Sequence, residues 1–154
     1  MFNETVIKEM QEIKAKYPNA RAALLPAIYV AQREFGWLSP EAYEAVADIL
    51  GVPRATVRGV ATFYAMYKHK PMGRNIVQLC TNVSCMILGA EKLLDFLKNK
   101  YGIEPGGTSP DSRFSLVIME CIGACGTAHA MLVNDDFYEN LTEKYIEEIL
   151  AKYK

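Results

Sequence analysis

Apolar residues recur every three or four positions through the first seventy residues, and this spacing is typical of amphipathic helices. A first helix is predicted around Val6 and Met10 and stops at Pro18, because proline cannot continue a helix. A second helix is predicted from Arg21 to Phe35. Short connections between such helices favour a small helical bundle.

Capping residues predict two further helices in the same region. Ser39 and Pro40 have the form of an N-cap followed by a proline at the first helical position. A fourth helix is predicted to begin near Pro53 and to carry Phe63 and Tyr67. We interpret these aromatic residues as packing residues rather than cofactor contacts.

The pattern changes after a linker at residues 68–74, where Pro71 and Gly73 interrupt the helical spacing. Short β-type runs then alternate with one long amphipathic segment. The predicted elements are strands at 76–80 and 114–119, a helix at 89–101 between them, a hairpin at 131–138 and a helix beginning at Thr142.

This order of elements, β-α-β-β-β-α, is that of a minimal thioredoxin-like domain. In such a domain a parallel βαβ pair is followed by an antiparallel hairpin and a covering helix. We therefore predict an α+β protein with two domains. An N-terminal helical bundle is expected over residues 1–70, and a thioredoxin-like α/β domain over residues 71–154.

The four cysteines of the chain form two close pairs, Cys80 with Cys85 and Cys121 with Cys125. Each pair follows a predicted strand of the parallel unit, so both loops should emerge at the same end of the sheet. A 2Fe-2S cluster needs four thiolates. A structural zinc site accepts four cysteines but more often uses C-x2-C pairs. A redox-active dithiol typically uses C-x-x-C, which is absent here. The spacing favours a cluster over zinc and leaves both open.

Composition and charge narrow the choice of partner and compartment. A net charge of −1 argues against nucleic acid, because phosphate binding needs a basic excess. No apolar run approaches the roughly 20 residues that span a bilayer, so direct membrane insertion is not expected. The N-terminus has no signal-peptide pattern. A cytoplasmic location is therefore expected, where cysteines are more often metal ligands or redox groups than disulfides.

The cysteine motifs resemble those of a known family. Cys80-x4-Cys85 followed by Cys121-Ile-Gly-Ala-Cys125 resembles the thioredoxin-like 2Fe-2S ferredoxin subunit of respiratory complex I. The same family supplies the corresponding subunit of NAD-linked hydrogenases and formate dehydrogenases. The helical part is also similar to this family, in particular Gly-Val-Ala-Thr-Phe-Tyr at 59–64. Nearly the whole chain is covered.

The resemblance implies an electron-transfer subunit that performs no bond chemistry itself. Cys80, Cys85, Cys121 and Cys125 would bind one 2Fe-2S cluster, and a partner flavoprotein subunit would bind FMN and oxidise NADH. The parent enzyme would be NADH:quinone oxidoreductase (complex I), at the inner face of the membrane. An NAD-dependent, bifurcating hydrogenase or a formate dehydrogenase is the alternative. A zinc-stapled interaction module without a redox role is the alternative from another class.

Several residues near the cysteines are candidates for hydrogen bonds to the cluster. Gly123 and Gly126 let backbone N–H groups approach closely, and Ser84 and Thr127 could add hydroxyl donors. His129 stands where the family usually has a proline, so we expect a fixed φ and any cis bond to be lost there. It is either a surface or hydrogen-bonded histidine, or a donor that makes cluster reduction pH-dependent.

Overall fold

The computed structural model describes residues 2–154. The chain divides into two compact units, one extending to Pro71 and the other running from Met72 to Lys154. Within the described residues, every helix is too short or too polar to cross a membrane.

The first unit consists of four helices. They are α1 (Glu4–Lys16), α2 (Leu24–Phe35), α3 (Pro40–Leu50) and α4 (Arg54–Phe63). The Ser39 hydroxyl accepts the Ala42 N–H at the start of α3, which satisfies a backbone donor that the helix leaves unpaired. Gly51 ends the same helix in the left-handed conformation. Met10, Ile28 and their apolar neighbours are buried between the helices.

Helix α4 ends earlier than its apolar pattern indicates. Phe63 is its last residue and is 81% exposed, so its ring lies outside the core and packs against the ring of Tyr64. Tyr67 lies beyond the helix and is buried, and its hydroxyl donates to the Leu25 carbonyl at 2.7 Å. The chain leaves the helical conformation at Tyr64, which is extended, so the last predicted turn of the helix does not form.

The second unit is built on a four-stranded sheet. Its elements are β1 (Asn75–Cys80), α5 (Val83–Leu88), α6 (Ala90–Tyr101), β2 (Phe114–Met119), β3 (Met131–Val133), β4 (Asp136–Tyr138) and α7 (Glu143–Leu150). The strand order is β2-β1-β3-β4, with β1 and β2 parallel and the other neighbours antiparallel. Along the chain, these elements follow one another in the predicted order, with the short helix α5 as an addition.

The core of this unit lies between the sheet and the two longer helices. Leu79 of β1, Leu97 of α6 and Ile146 of α7 are fully buried within it. Burying such a side chain contributes about 1.5–3 kcal/mol. Because β1 lies between β2 and β3, it is covered along almost its whole length. The packing therefore holds in place the strand end that bears Cys80.

Candidate metal centre

The two cysteine loops leave the sheet side by side. Cys80 is the last residue of β1 and is the register partner of Met119, the last residue of β2. The Thr81 N–H donates to the Met119 carbonyl at 3.0 Å and extends this pairing by one residue. Cys121 follows two residues after β2. The carboxyl ends of both parallel strands thus deliver cysteines to one end of the sheet.

The two pairs differ in burial. Cys80 and Cys85 are 4% and 3% exposed, and they form a small cluster with Ala90. Cys121 and Cys125 are exposed. Ile122 and Ala128 of the second loop pack against the buried pair, so the two loops are in contact. These two residues were not singled out in the sequence, since an isolated Ile or Ala carries no signal of such a role.

The surroundings of Cys85 disfavour an isolated thiolate. Burial raises the pKa of the Cys85 thiol, and hydrogen bonding to the Cys80 thiol raises it further. Negative charge on Cys80 or Cys125 also raises this pKa. Hydrogen bonding of the Cys85 sulfur to the Ala130 N–H has the opposite effect and lowers this pKa.

Backbone donors reach both loops. The Gly123 N–H lies 3.3 Å from Cys121 Sγ, and Gly123 has a φ of 79°, which favours glycine. The Cys80 thiol donates to the Glu120 carbonyl at 4.0 Å. Around Gly126 there is open space for a Cβ atom, but no hydrogen bond joins Gly126 to a sulfur within residues 2–154.

Neither of the two predicted hydroxyl donors is hydrogen-bonded to a sulfur within residues 2–154. The Thr127 hydroxyl donates to Glu139 Oε2 at 2.6 Å, and a role for Thr127 toward a cluster stays a prediction. The Glu139 carboxylate is a charged acceptor, which strengthens this hydrogen bond. The Ser84 side chain, by comparison, makes no hydrogen bond to any described residue.

The loop that contains His129 differs from expectation in its backbone. The Ala128–His129 peptide bond is cis, so the expected loss of a cis bond with the proline is wrong. Hydrogen bonds on both sides hold this segment without a proline ring. The Asn140 N–H donates to the Thr127 carbonyl at 2.8 Å, and the Leu141 N–H donates to the His129 carbonyl at 3.2 Å.

The His129 side chain is half-buried, and its Nε2 atom is buried without a hydrogen-bond partner among the described residues. This atom is therefore neither at the surface nor hydrogen-bonded, in contrast to the simpler of the two interpretations. Buried polar atoms are nearly always paired, and an unpaired one commonly marks a place where a bound group supplies the partner. The role of His129 toward a cluster stays a prediction.

No three His, Cys, Asp or Glu side chains of residues 2–154 are arranged to hold a single metal ion. A structural zinc site requires all its ligands around one ion. By contrast, a 2Fe-2S cluster distributes four thiolates over two irons. Two cysteine pairs on adjoining loops are compatible with this division of ligands.

Comparison with known proteins decides the family. The model of the thioredoxin-like [2Fe-2S] ferredoxin family matches residues 10–154. The chain belongs to this family. The resemblance predicted from the cysteine motifs is thereby confirmed, and with it the thioredoxin-like α+β fold.

Two relatives of this ferredoxin-family chain are named as subunits of the same kind of enzyme. The chain is 43% identical over 150 residues to a subunit of the NADH-quinone oxidoreductase of Rhizobium meliloti, covering 97% of this chain and 89% of the relative. It is 38% identical over 138 residues to a subunit of the NADH-quinone oxidoreductase of Escherichia coli, covering 90% and 83% respectively. Both relatives are named as parts of the same kind of oxidoreductase.

A solved structure supports the fold alone. The air-oxidised NAD+-reducing [NiFe]-hydrogenase contains a region similar to this chain, with a TM-score of 0.72 and 23% sequence identity. The similarity covers 84% of this chain and 22% of the hydrogenase chain.

The residues of this ferredoxin-family chain fit an iron–sulfur cluster. Four thiols from two adjoining loops provide the soft ligands that such clusters use. Burial is the main cause that raises the pKa of Cys85, and neighbouring thiolates raise it further. Bound iron offsets both effects, because a cation stabilises the ligating thiolates. The Gly123 N–H is directed at Cys121 Sγ, and hydrogen bonding to the Ala130 backbone lowers the pKa of Cys85.

Proposed function

We propose that this chain is an electron-transfer subunit that carries one 2Fe-2S cluster on Cys80, Cys85, Cys121 and Cys125. The observation that carries the proposal is the delivery of two cysteine pairs to one end of a parallel strand pair in a chain of this family. When bound, the cluster supplies one-electron chemistry. The chain itself supplies the ligands and their surroundings.

The residues around the cysteines have three tasks in this proposal. The small cluster of Ala90, Ile122 and Ala128 keeps water from the Cys80 and Cys85 sulfurs. The N–H groups of Ala130 and Gly123 offset negative charge on the sulfurs, which favours the reduced state. The second loop provides the two exposed ligands, Cys121 and Cys125.

The partner in this proposal is a flavoprotein subunit that binds FMN and oxidises NADH. The parent enzyme is NADH:quinone oxidoreductase, and the names of the relatives support this choice. An NAD-dependent hydrogenase or a formate dehydrogenase is the second candidate. FMN and NAD are assigned to the partner because the sequence has no G-x-G-x-x-G after a strand and no P-loop. The complex would lie at the cytoplasmic face of the membrane, with residues 1–70 and 71–154 as separate domains.

Anaerobic purification of the full chain tests the cluster. We expect a red-brown protein with two irons and two acid-labile sulfides per chain, which bleaches on addition of dithionite and gives a rhombic EPR signal. A colourless protein with one zinc per chain would overturn the proposal in favour of the structural module. Mild purification from the source organism, with identification of the co-purifying subunits, then tests the choice of parent enzyme.

The histidine hypothesis has its own test. If His129 donates to the cluster or its surroundings, His129→Ala lowers the reduction potential and changes its dependence on pH. Potentiometric titration of both proteins at several pH values measures this. Equal potentials with equal pH slopes would remove the hypothesis while leaving the cluster assignment intact.

A further inference from the structure

The outer face of α5 is an apolar surface in an unusual position. Val83, Met86, Ile87 and Leu88 are between 52% and 78% exposed, although all four are large apolar residues. They account for four of the six large apolar side chains that are exposed in the second unit. Contiguous apolar patches of this kind on a soluble protein commonly mark an interaction site. We refer to these four residues as the α5 face.

The α5 face belongs to a part of the chain whose own segments contain no charged residue. The second unit contains nineteen Asp, Glu, Lys and Arg residues, yet none of them falls within residues 81–90 or 121–130. These two segments are the cysteine loops together with α5. A charged partner group placed against the α5 face would lose its hydration without a counter-ion from these two segments, at a cost of several kcal/mol. The region is therefore complementary to an uncharged, apolar protein surface.

The α5 face is also close to the candidate centre. Cys85 lies on α5 and is buried, while its neighbours Met86, Ile87 and Leu88 face solvent. The helix with its side chains is only about 10–12 Å across. A protein seated on the α5 face is thus separated from the Cys85 sulfur by roughly one helix diameter. Electron exchange requires such proximity, since its rate falls steeply with distance.

We propose that the α5 face is the docking surface for an uncharged, apolar patch on the flavoprotein subunit that exchanges electrons with this chain. This inference rests on the proposed function, since it assigns the surface through which that partner binds. Docking here is driven by burial of apolar area rather than by charge pairing. Its affinity is therefore expected to be nearly independent of salt, unlike charge-steered redox encounters.

The test uses the full chain with its cluster and the FMN-loaded flavoprotein subunit of the parent complex. The dissociation constant is measured by calorimetry at low and high NaCl for wild type, Ile87→Asp and Phe137→Asp. Ile87→Asp should weaken binding about tenfold or more, because a buried unpaired carboxylate replaces an apolar anchor. Phe137→Asp is the matched control, an exposed apolar residue on the edge strand β4, and should change binding less than about twofold.

A second variant and a second readout keep the outcomes distinct. The visible spectrum must show an intact cluster, and if Ile87→Asp loses it, Val83→Asp takes its place. NADH-driven bleaching of the cluster through the flavoprotein tests the proposed function separately. Bleaching with wild type, together with unchanged binding of both α5 variants, overturns only the docking surface. The absence of binding and bleaching with wild type overturns both proposals.

Two further outcomes would also overturn the surface as stated. Binding that weakens tenfold or more between low and high salt would identify a charge-driven contact. A wild-type chain that sediments as a dimer, with a monomeric Ile87→Asp variant, would assign the α5 face to a second copy of this chain. The expected result is a monomer whose affinity for the flavoprotein subunit is unchanged by salt.

Discussion

The two cysteine loops belong to one candidate centre but are built differently. The first ends a buried strand and continues into the helix α5, and its Cys80 and Cys85 are almost fully buried. The second turns at Gly123, which is in the left-handed conformation, and continues into a short 3-10 helix at Cys125–Thr127. Its Cys121 and Cys125 are exposed. One loop shields the centre from water, and the other leaves it accessible.

The difference follows from the place of each strand in the sheet. β1 has neighbours on both sides, whereas β2 is an edge strand. The burial of β1 extends to its last two residues, while the last three residues of β2 are only half-buried. A loop that follows a central strand is covered by adjacent elements more completely than one that follows an edge strand. Position in the sheet therefore accounts for the burial of each cysteine pair.

Substitution of the cysteines gives the largest expected effect and tests the comparison directly. Cys85→Ser should abolish cluster assembly, because the apolar surroundings disfavour a charged or hydrated replacement ligand. Cys125→Ser should retain a fraction of the cluster, since an exposed serine or water can replace the thiolate there. Iron and acid-labile sulfide per chain after anaerobic reconstitution measure both. Equal losses in the two variants would show that burial does not distinguish the loops.

The strands that support the loops provide the next largest effect. Leu79 of β1 and Ile118 of β2 are direct partners in the parallel pair, so they form a matched comparison. Leu79→Ala should destabilise the protein by about 2–5 kcal/mol, because Leu79 is fully buried. Ile118→Ala should cost only about 1–2 kcal/mol, since its side chain is half-hydrated in the folded state. Urea unfolding followed by circular dichroism measures the difference, and similar values would contradict the edge-strand explanation.

Much of this architecture could be predicted from the sequence because it depends on local signals. The second strand is observed at Phe114–Met119 as predicted, and the capping residues of α3 and α7 are where the pattern indicated. The α5 helix could not be predicted in this way. Six residues are too few for helical periodicity, and its exposed apolar side chains conceal the boundary between buried and polar faces.

The unpredicted features of the site depend on contacts between distant segments. Whether Thr127 donates to a sulfur or to Glu139 is decided by where β4 ends, which residue spacing does not reveal. The burial of His129 Nε2 depends in the same way on the packing of its loop. The identity of the candidate ligands was accessible from the sequence because cysteine spacing is itself a local pattern. The unequal burial of the two cysteine pairs could not be predicted from the sequence.

A smaller effect is expected from the hydrogen bond that holds the second loop. Thr127→Val removes the donor to Glu139 and should destabilise the folded protein by about 1.5 kcal/mol, the lower end for bonds to charged groups. Thr127→Ser keeps the hydroxyl and serves as the control. Thermal unfolding of the two variants measures the difference. If valine and serine behave alike, the bond contributes nothing to the loop, and its open conformation has another cause.

The smallest effect concerns two glycines of the second loop. Gly123 has a φ of 79°, so Gly123→Ala should cost about 1 kcal/mol and displace the N–H that lies 3.3 Å from Cys121 Sγ. Gly126 lies in open space without a positive φ, so Gly126→Ala should be nearly neutral and is the matched control. The free energy of unfolding and the cluster reduction potential are measured for both variants. A lower potential for Gly123→Ala alone would link the backbone conformation of the open loop to electron transfer, whereas equal potentials would limit Gly123 to a structural role.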